Sequence, residues 1–369
     1  MRSLVAALLG MTLLSACAPS EPVSSEARAK PAEGCGTLTQ SRFEADGLPA
    51  RDYLVYVPCG LKKKDTPALV VYLHGCNQNA AEAAVQTRWN TFADAQRFIV
   101  VYPNQFEPAG DDLEGHAFDG NGAQCWNWFR PEHVNRGSGE PATLAGITQA
   151  VMTANNVDPD RVYVAGISAG GVMTSVMGAT YPDLYAAIGV IAGCGYPACA
   201  DPGGTLATQA MGAYARAMPA IVVHGTADEA AVFPMGLDAV HQWLNTNDLV
   251  DDGTMNGSVP RTPASTEDHG VDEGALDGLG TVGDTCVGNR TASPCLGGVL
   301  GFGEYPHTIE HYVDAAGAPL LDFWIIHGGT HNYVSGDPSV NWSDPLGPDI
   351  TRATWEFFQA HPGHNRQDP

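Results

Sequence analysis

Short apolar runs recur along the chain with longer mixed stretches between them, and that spacing predicts its elements. Residues 53–57 alternate apolar and polar and stop at Pro58, as a strand near a sheet edge does. Residues 69–73 are apolar throughout and stop at His74-Gly75, the pattern of a strand buried on both faces. The same pattern returns at 98–102, 162–165, 187–192 and 220–223, and at 320–326 with Asp322 inside the run. Between these runs, residues 80–97, 143–155, 170–181 and 235–245 have helical character, and a last helix over 350–359 offers Trp355, Phe357 and Phe358 for packing. Strands alternating with helices predict right-handed crossovers and a mostly parallel sheet with helices on both faces. The stretch 247–303 breaks the rhythm: rich in Gly, Asp, Thr, Pro and Ser, it is too long for an ordinary loop. It is read as an insertion, either a disulfide-pinned flap or cap near the site or a passive surface excursion.

Composition narrows the functional classes. In 369 residues, 41 acidic side chains face 18 basic ones, for a formal charge of −23. Phosphate recognition needs clustered Lys and Arg, so nucleic acid is excluded as a partner and a neutral substrate is favoured. The N-terminus is short and basic, then mostly apolar from Leu4 to Leu14, and ends in Leu14-Ser15-Ala16-Cys17. Residues 1–16 therefore read as an export signal, too short to span a bilayer as a mature helix. The Leu-Ser-Ala-Cys ending looks like a bacterial lipoprotein signal with Cys17 as the lipidated residue; an ordinary secretory signal is the alternative. Membrane contact is then expected only through that anchor. Ala18, where an Asp would signal otherwise, points to an outer membrane if the organism has one. Residues 17–45 read as a tether, lipid-anchored or flexible, and 46–362 as one catalytic domain carrying the insertion. Oligomeric state is not fixed by any of this.

Eight further cysteines in an exported protein read as disulfides. Proximity suggests Cys194 with Cys199 and Cys286 with Cys295, leaving Cys35, Cys59, Cys76 and Cys125 to pair among themselves. A zinc site lacks paired CxxC spacing to support it.

The strongest chemical signal is Gly166-Ile167-Ser168-Ala169-Gly170, set between a strand and a helical run. In that context G-x-S-x-G marks a nucleophilic serine on a strained turn of an α/β-hydrolase, whose partners follow in the order acid, then histidine. Downstream, the 220–223 strand leads to Asp228, beyond a strand's carboxyl end where open α/β sheets place their sites. Glu229 and Asp238 are weaker competitors for that role. After the 320–326 strand come His327 and His331, with Gly328 and Gly329 expected to give a mobile loop between them. His331, at the loop's far end, is the candidate base, and His327 is expected to be a packed, hydrogen-bonded imidazole. The two have no evident third ligand for a metal, and neither metal nor organic cofactor is expected. The backbone amides of Cys76 and Ala169 are the candidate oxyanion donors. Trp126 and Trp128 are candidates for lining the substrate cleft and equally for the core.

Several segments resemble the extracellular poly(3-hydroxybutyrate) depolymerase and feruloyl or acetylxylan esterase family. They are 70–78 (VVYLHGCNQ), 100–105 (VYPNQ within it), 125–129 (CWNWF), 158–171 (DPDRVYVAGISAGG), Gly328 to His331 and 344–351, with matches spread over about 50–361. The resemblance implies an α/β-hydrolase fold and a triad of Ser168, Asp228 and His331. The expected activity is ester hydrolysis through an acyl-enzyme, outside the cytoplasm, on a polymeric or small ester. A polyhydroxyalkanoate-type polyester or its oligomers stand first and feruloyl or acetylxylan esters second. A peptidase on the same fold and a non-catalytic surface lipoprotein are the readings of other classes. The insertion before His331 is larger than the compact family pattern. No separate polymer-binding domain follows residue 361, which weighs against an insoluble substrate.

Overall fold

The computed structural model describes residues 34–105, 123–270 and 305–363. Cys17, Cys286, Cys295 and most of the insertion lie outside them. Ten strands form one sheet: β1 (Thr37–Phe43), β2 (Arg51–Val57), β3 (Leu69–Leu73), β4 (Ile99–Pro103), β5 (Val162–Ile167), β6 (Ala187–Ile191), β7 (Ala220–Gly225), β8 (Ser265–His269), β9 (His307–Val313) and β10 (Pro319–Ile326). Their spatial order is β1-β2-β4-β3-β5-β6-β7-β10-β9-β8. The six from β4 to β10 run parallel, and β1, β2, β9 and β8 add antiparallel edges. A short parallel pair, β11 (Tyr333–Val334) with β12 (Ser343–Asp344), stands apart from the sheet.

The central strands are continuously apolar because both faces are covered. Leu69, Val71, Val162, Val164, Val190 and Val222 face one core, closed by α3 (Gly139–Asn155), α4 (Ala169–Thr180), α5 (Thr205–Met211) and α6 (Phe233–Asp252). Their neighbours Val70, Tyr72, Tyr163, Ala165 and Ile221 face the other, closed by α1 (Ala80–Gln86), α2 (Trp89–Gln96) and α7 (Ile350–Ala360). Side chains alternate across a strand, so each run feeds two cores at once. On the second face the rings of α7 lie flat on their neighbours: Trp355 on Phe98 at 3.9 Å between centroids and Phe358 on Tyr163 at 4.6 Å. Full burial of such a side chain contributes roughly 1.5–3 kcal/mol.

Four expectations change. The tether over 17–45 includes a strand: β1 pairs along its whole length with β2 and forms the edge beside it. Its sequence TLTQSRF buries little: ladder hydrogen bonds hold it, with Leu38 and Phe43 packed against the two cores. The stretch 80–97 is two helices, broken where Arg88 takes a left-handed conformation (φ 56°). The helix over 235–245 runs from Phe233 to Asp252, so the departure from regular structure begins later than 247. The insertion also returns to the sheet as β8, every residue of which is exposed. No helix among the described residues is long and apolar enough to cross a membrane.

Candidate active site

Strand order falls into place around a switch point. β3 is flanked by β4 on one side and β5 on the other, so successive crossovers leave in opposite directions and open a crevice at the carboxyl ends. Register pairs Leu73 with Gly166, which sets the loop after β3 beside the turn after β5.

Ser168 occupies that turn at φ 57° and ψ −122°, a strained conformation for a residue with a side chain. Its amide is held by the carbonyl of Ile191 at 2.9 Å. The flanking glycines are required by contact distance. A Cβ on Gly170 would lie 2.1 Å from the Leu73 carbonyl oxygen, and one on Gly166 would lie 2.6 Å from the same atom. Backbone thus takes the space of side chains on both sides of Ser168, and its hydroxyl stands clear at the head of α4.

Two other loops complete a relay. β7 and β10 are neighbours, and the loops after them are laced together: Thr226 N–H donates to Ile326 O at 2.9 Å, Ala227 N–H to Gly329 O at 2.9 Å and Gly328 N–H to Thr226 Oγ1 at 2.8 Å. The Gly328-Gly329 loop expected to be mobile is tied at both glycines. Asp228 is buried; its Oδ1 accepts from the amides of Ala230 and Ala231 at 2.9 and 2.8 Å. Its Oδ2 accepts from His331 Nδ1 at 2.8 Å, and His331 Nε2 lies 2.9 Å from Ser168 Oγ. The carboxylate fixes the imidazole tautomer that leaves Nε2 free to accept the serine proton.

The amides of Cys76 and Ala169 have no acceptor among the described residues. Ala169 opens α4, where helix N–H groups are unsatisfied and the dipole favours negative charge. Gly75 lies so close that a Cβ there would sit 3.3 Å from the Ser168 Cβ, so the β3 loop is pressed against Ser168. A disulfide from Cys76 to Cys125 pins the loop, and Cys35–Cys59 and Cys194–Cys199 also form.

Within residues 51–261 the chain matches the family described as Esterase PHB depolymerase. It belongs to that family. Its relatives include a poly(3-hydroxyalkanoate) depolymerase C of Paucimonas lemoignei, 31% identical over 75% of this chain and 57% of that protein. An acetylxylan esterase A of Emericella nidulans is 32% identical over 44% of this chain and 49% of its own length. A feruloyl esterase B of Neurospora crassa is 29% identical over 57% of this chain and 75% of its own. The chain thus spans little more than half the length of the depolymerase. Among solved structures, an acetyl xylan esterase from Aspergillus awamori shares the fold, with TM-score 0.58 at 20% identity over 88% of this chain and all of that one.

The chain has an α/β-hydrolase fold, and Ser168, Asp228 and His331 converge in it. Trp126 does not line a cleft. It is fully buried, and its indole N–H donates to His74 O at 2.9 Å, bracing the β3 loop from below. Trp128 is partly buried, packs against the core, and meets the exposed Phe129 edge-on at 5.5 Å. His327 Nε2 bonds Thr308 Oγ1 at 2.9 Å, away from the triad. Two features were missed. One is a buried polar cluster under the β3 loop. There, Arg51 pairs with Glu140 at 3.4 Å, Gln105 bonds both, and Glu140 Oε2 accepts from the Asn127 amide at 2.7 Å. Gln105 and Asn127 stand inside the family-like VYPNQ and CWNWF segments, which was the available signal. The other is Trp342, whose ring stands at 78° to that of His331 with 6.2 Å between centroids.

His74 shows how burial sets a protonation state here. Its Nε2 accepts from the Gln105 amide at 2.9 Å, so Nδ1 carries the proton toward Gly75 O at 2.8 Å. Desolvation lowers its pKa from 6.5 to about 4, against a small opposing effect of that Gly75 bond. Between those values the unfolded chain binds a proton that the folded one refuses, so stability rises with pH. The contribution is complete above about pH 6.5 and is lost as pH falls toward 4; at about 1.4 kcal/mol per unit it amounts to about 3 kcal/mol. Urea unfolding at pH 7 and 4.5 is expected to show a smaller loss in His74→Gln than in the wild type. Equal losses would show that His74 does not titrate on unfolding.

Proposed function

We propose that this chain is a serine ester hydrolase working through an acyl-enzyme. The observation that carries this reading is the continuous relay from Ser168 Oγ through His331 to buried Asp228. Ser168 attacks the ester carbonyl while His331 Nε2 takes its proton, and Asp228 stabilises the imidazolium. The amides of Cys76 and Ala169 receive the developing oxyanion; such a donor is typically worth about 2.7–4 kcal/mol. His331 then protonates the leaving alkoxide, and water repeats the sequence on the acyl-serine.

The substrate we favour is a polyhydroxyalkanoate-type polyester or its oligomers. The depolymerase relative, aligned over three-quarters of this chain, supports it. A feruloyl or acetylxylan ester is the second reading, favoured by the esterase relatives. The protein acts outside the cytoplasm, secreted or lipid-anchored through Cys17, a setting in which three disulfides persist. The test is hydrolysis of a poly(3-hydroxybutyrate) suspension beside soluble acetyl and feruloyl esters, with Ser168→Ala as the blank. Clearing that the variant lacks supports the polyester; turnover of soluble esters alone supports the carbohydrate-type reading. No turnover of any ester would contradict the enzymatic assignment.

A further inference from the structure

We infer that Trp342 forms the alcohol subsite of the ester-binding cleft, taking a broad apolar leaving group against its indole. This rests on the reading of Ser168 and His331 as nucleophile and base. Among the described residues, Trp342 is one of the few large apolar side chains left exposed, at 36%. It also sits at φ 62°, a left-handed conformation that bulky residues rarely take. Trp342 belongs to neither hydrophobic core, so core packing does not account for its conformation. Strain of this kind persists where surrounding bonds over-determine it, and it clusters at functional sites.

The bonds that hold it are present. The Trp342 carbonyl accepts from the Tyr333 amide at 2.8 Å and from the buried Gln86 Nε2, also at 2.8 Å. Gln86 Nε2 reaches the neighbouring Asn341 carbonyl as well, at 3.3 Å. Tyr333 follows His331 by two residues, and Trp342 directly precedes β12, the partner of β11. One small ladder therefore carries both the base and the indole, and α1 clamps it from behind.

Position assigns the side of the substrate. The carbonyl oxygen belongs at the Cys76 and Ala169 amides, from the β3 loop and the head of α4. The leaving oxygen must come within hydrogen-bond reach of His331 Nε2 to be protonated. The ring beside that imidazole is thus placed next to the alcohol portion. Aromatic faces suit apolar groups of extended width, including the next hydroxyacyl unit of an oligoester.

Ethyl, benzyl and naphthylmethyl acetates separate the possibilities, because all three form the same acetyl-enzyme and leave alcohols of similar basicity. Trp342→Ala is expected to lower kcat/KM about tenfold for the two aryl alcohols while ethyl acetate stays within about twofold. Hydrolysis of the shared acetyl-enzyme should be unchanged, since the alcohol has gone. Trp342→Phe should retain most of the preference. Gln86→Ala, which releases the Asn341 and Trp342 carbonyls while leaving the indole in the chain, should show the same selective loss. Equal losses for all three acetates, or a loss that follows acyl length in an ethyl ester series, would overturn the proposal. Wild-type turnover in Ser168→Ala would instead overturn the catalytic reading beneath it.

Discussion

Ser168→Ala is expected to lower kcat on the order of 10⁶-fold while leaving the fold intact. The hydroxyl supplies the only bond to the acyl group in the proposed pathway, and it is the group that His331 Nε2 faces at 2.9 Å. Its removal loses a single contact to His331 at 2.9 Å and leaves the turn, held by Ile191 O and the flanking glycines, in place. The variant should therefore unfold in urea at a midpoint close to that of the wild type. Retained turnover would move the nucleophile elsewhere; loss of folding would leave the rate change without meaning for chemistry.

Gly170→Ala is expected to act through geometry. The added Cβ would lie 2.1 Å from the Leu73 carbonyl oxygen and 2.6 Å from that of His74. Both are backbone atoms at the end of β3, so no flexible side chain can give way. Relief requires α4 to move from β3 by about 1 Å, the shortfall from an ordinary contact, and that separates the Ala169 amide from the Cys76 amide. Losing an oxyanion donor typically costs about 10²–10³ in kcat, and overpacking of this severity destabilises by about 3 kcal/mol. Steady-state kinetics with urea unfolding checks both. Activity and midpoint within error of the wild type would mean that the close approach of α4 and β3 is not needed.

The central strands and the triad were legible for the same reason. A strand covered on both faces is a largely apolar run, so β3, β5 and β7 announce themselves, as does β10 despite Asp322, and Ser168, Asp228 and His331 stand past the carboxyl ends of β5, β7 and β10. Edge strands carry no such mark. β1 and β8 are mostly polar and hold no continuous apolar run, so TLTQSRF reads as tether and STEDH as insertion. The Arg51–Glu140 pair joins residues 89 positions apart, and nothing in either local sequence shows that both are buried. Trp126 was ambiguous because an indole serves a core or a cleft equally well; its N–H bond to His74 O decides it. Trp342 was silent because its significance lies in a backbone conformation and in a neighbour reached through a turn.

The measurement that tests the account most directly is mass spectrometry of the enzyme quenched during turnover of a slowly deacylating ester. The account predicts one acyl group on the peptide containing Ser168, absent from Ser168→Ala and accumulating in His331→Ala only at a greatly reduced rate. An acyl group on another residue, or turnover with none attached at any time, would contradict it.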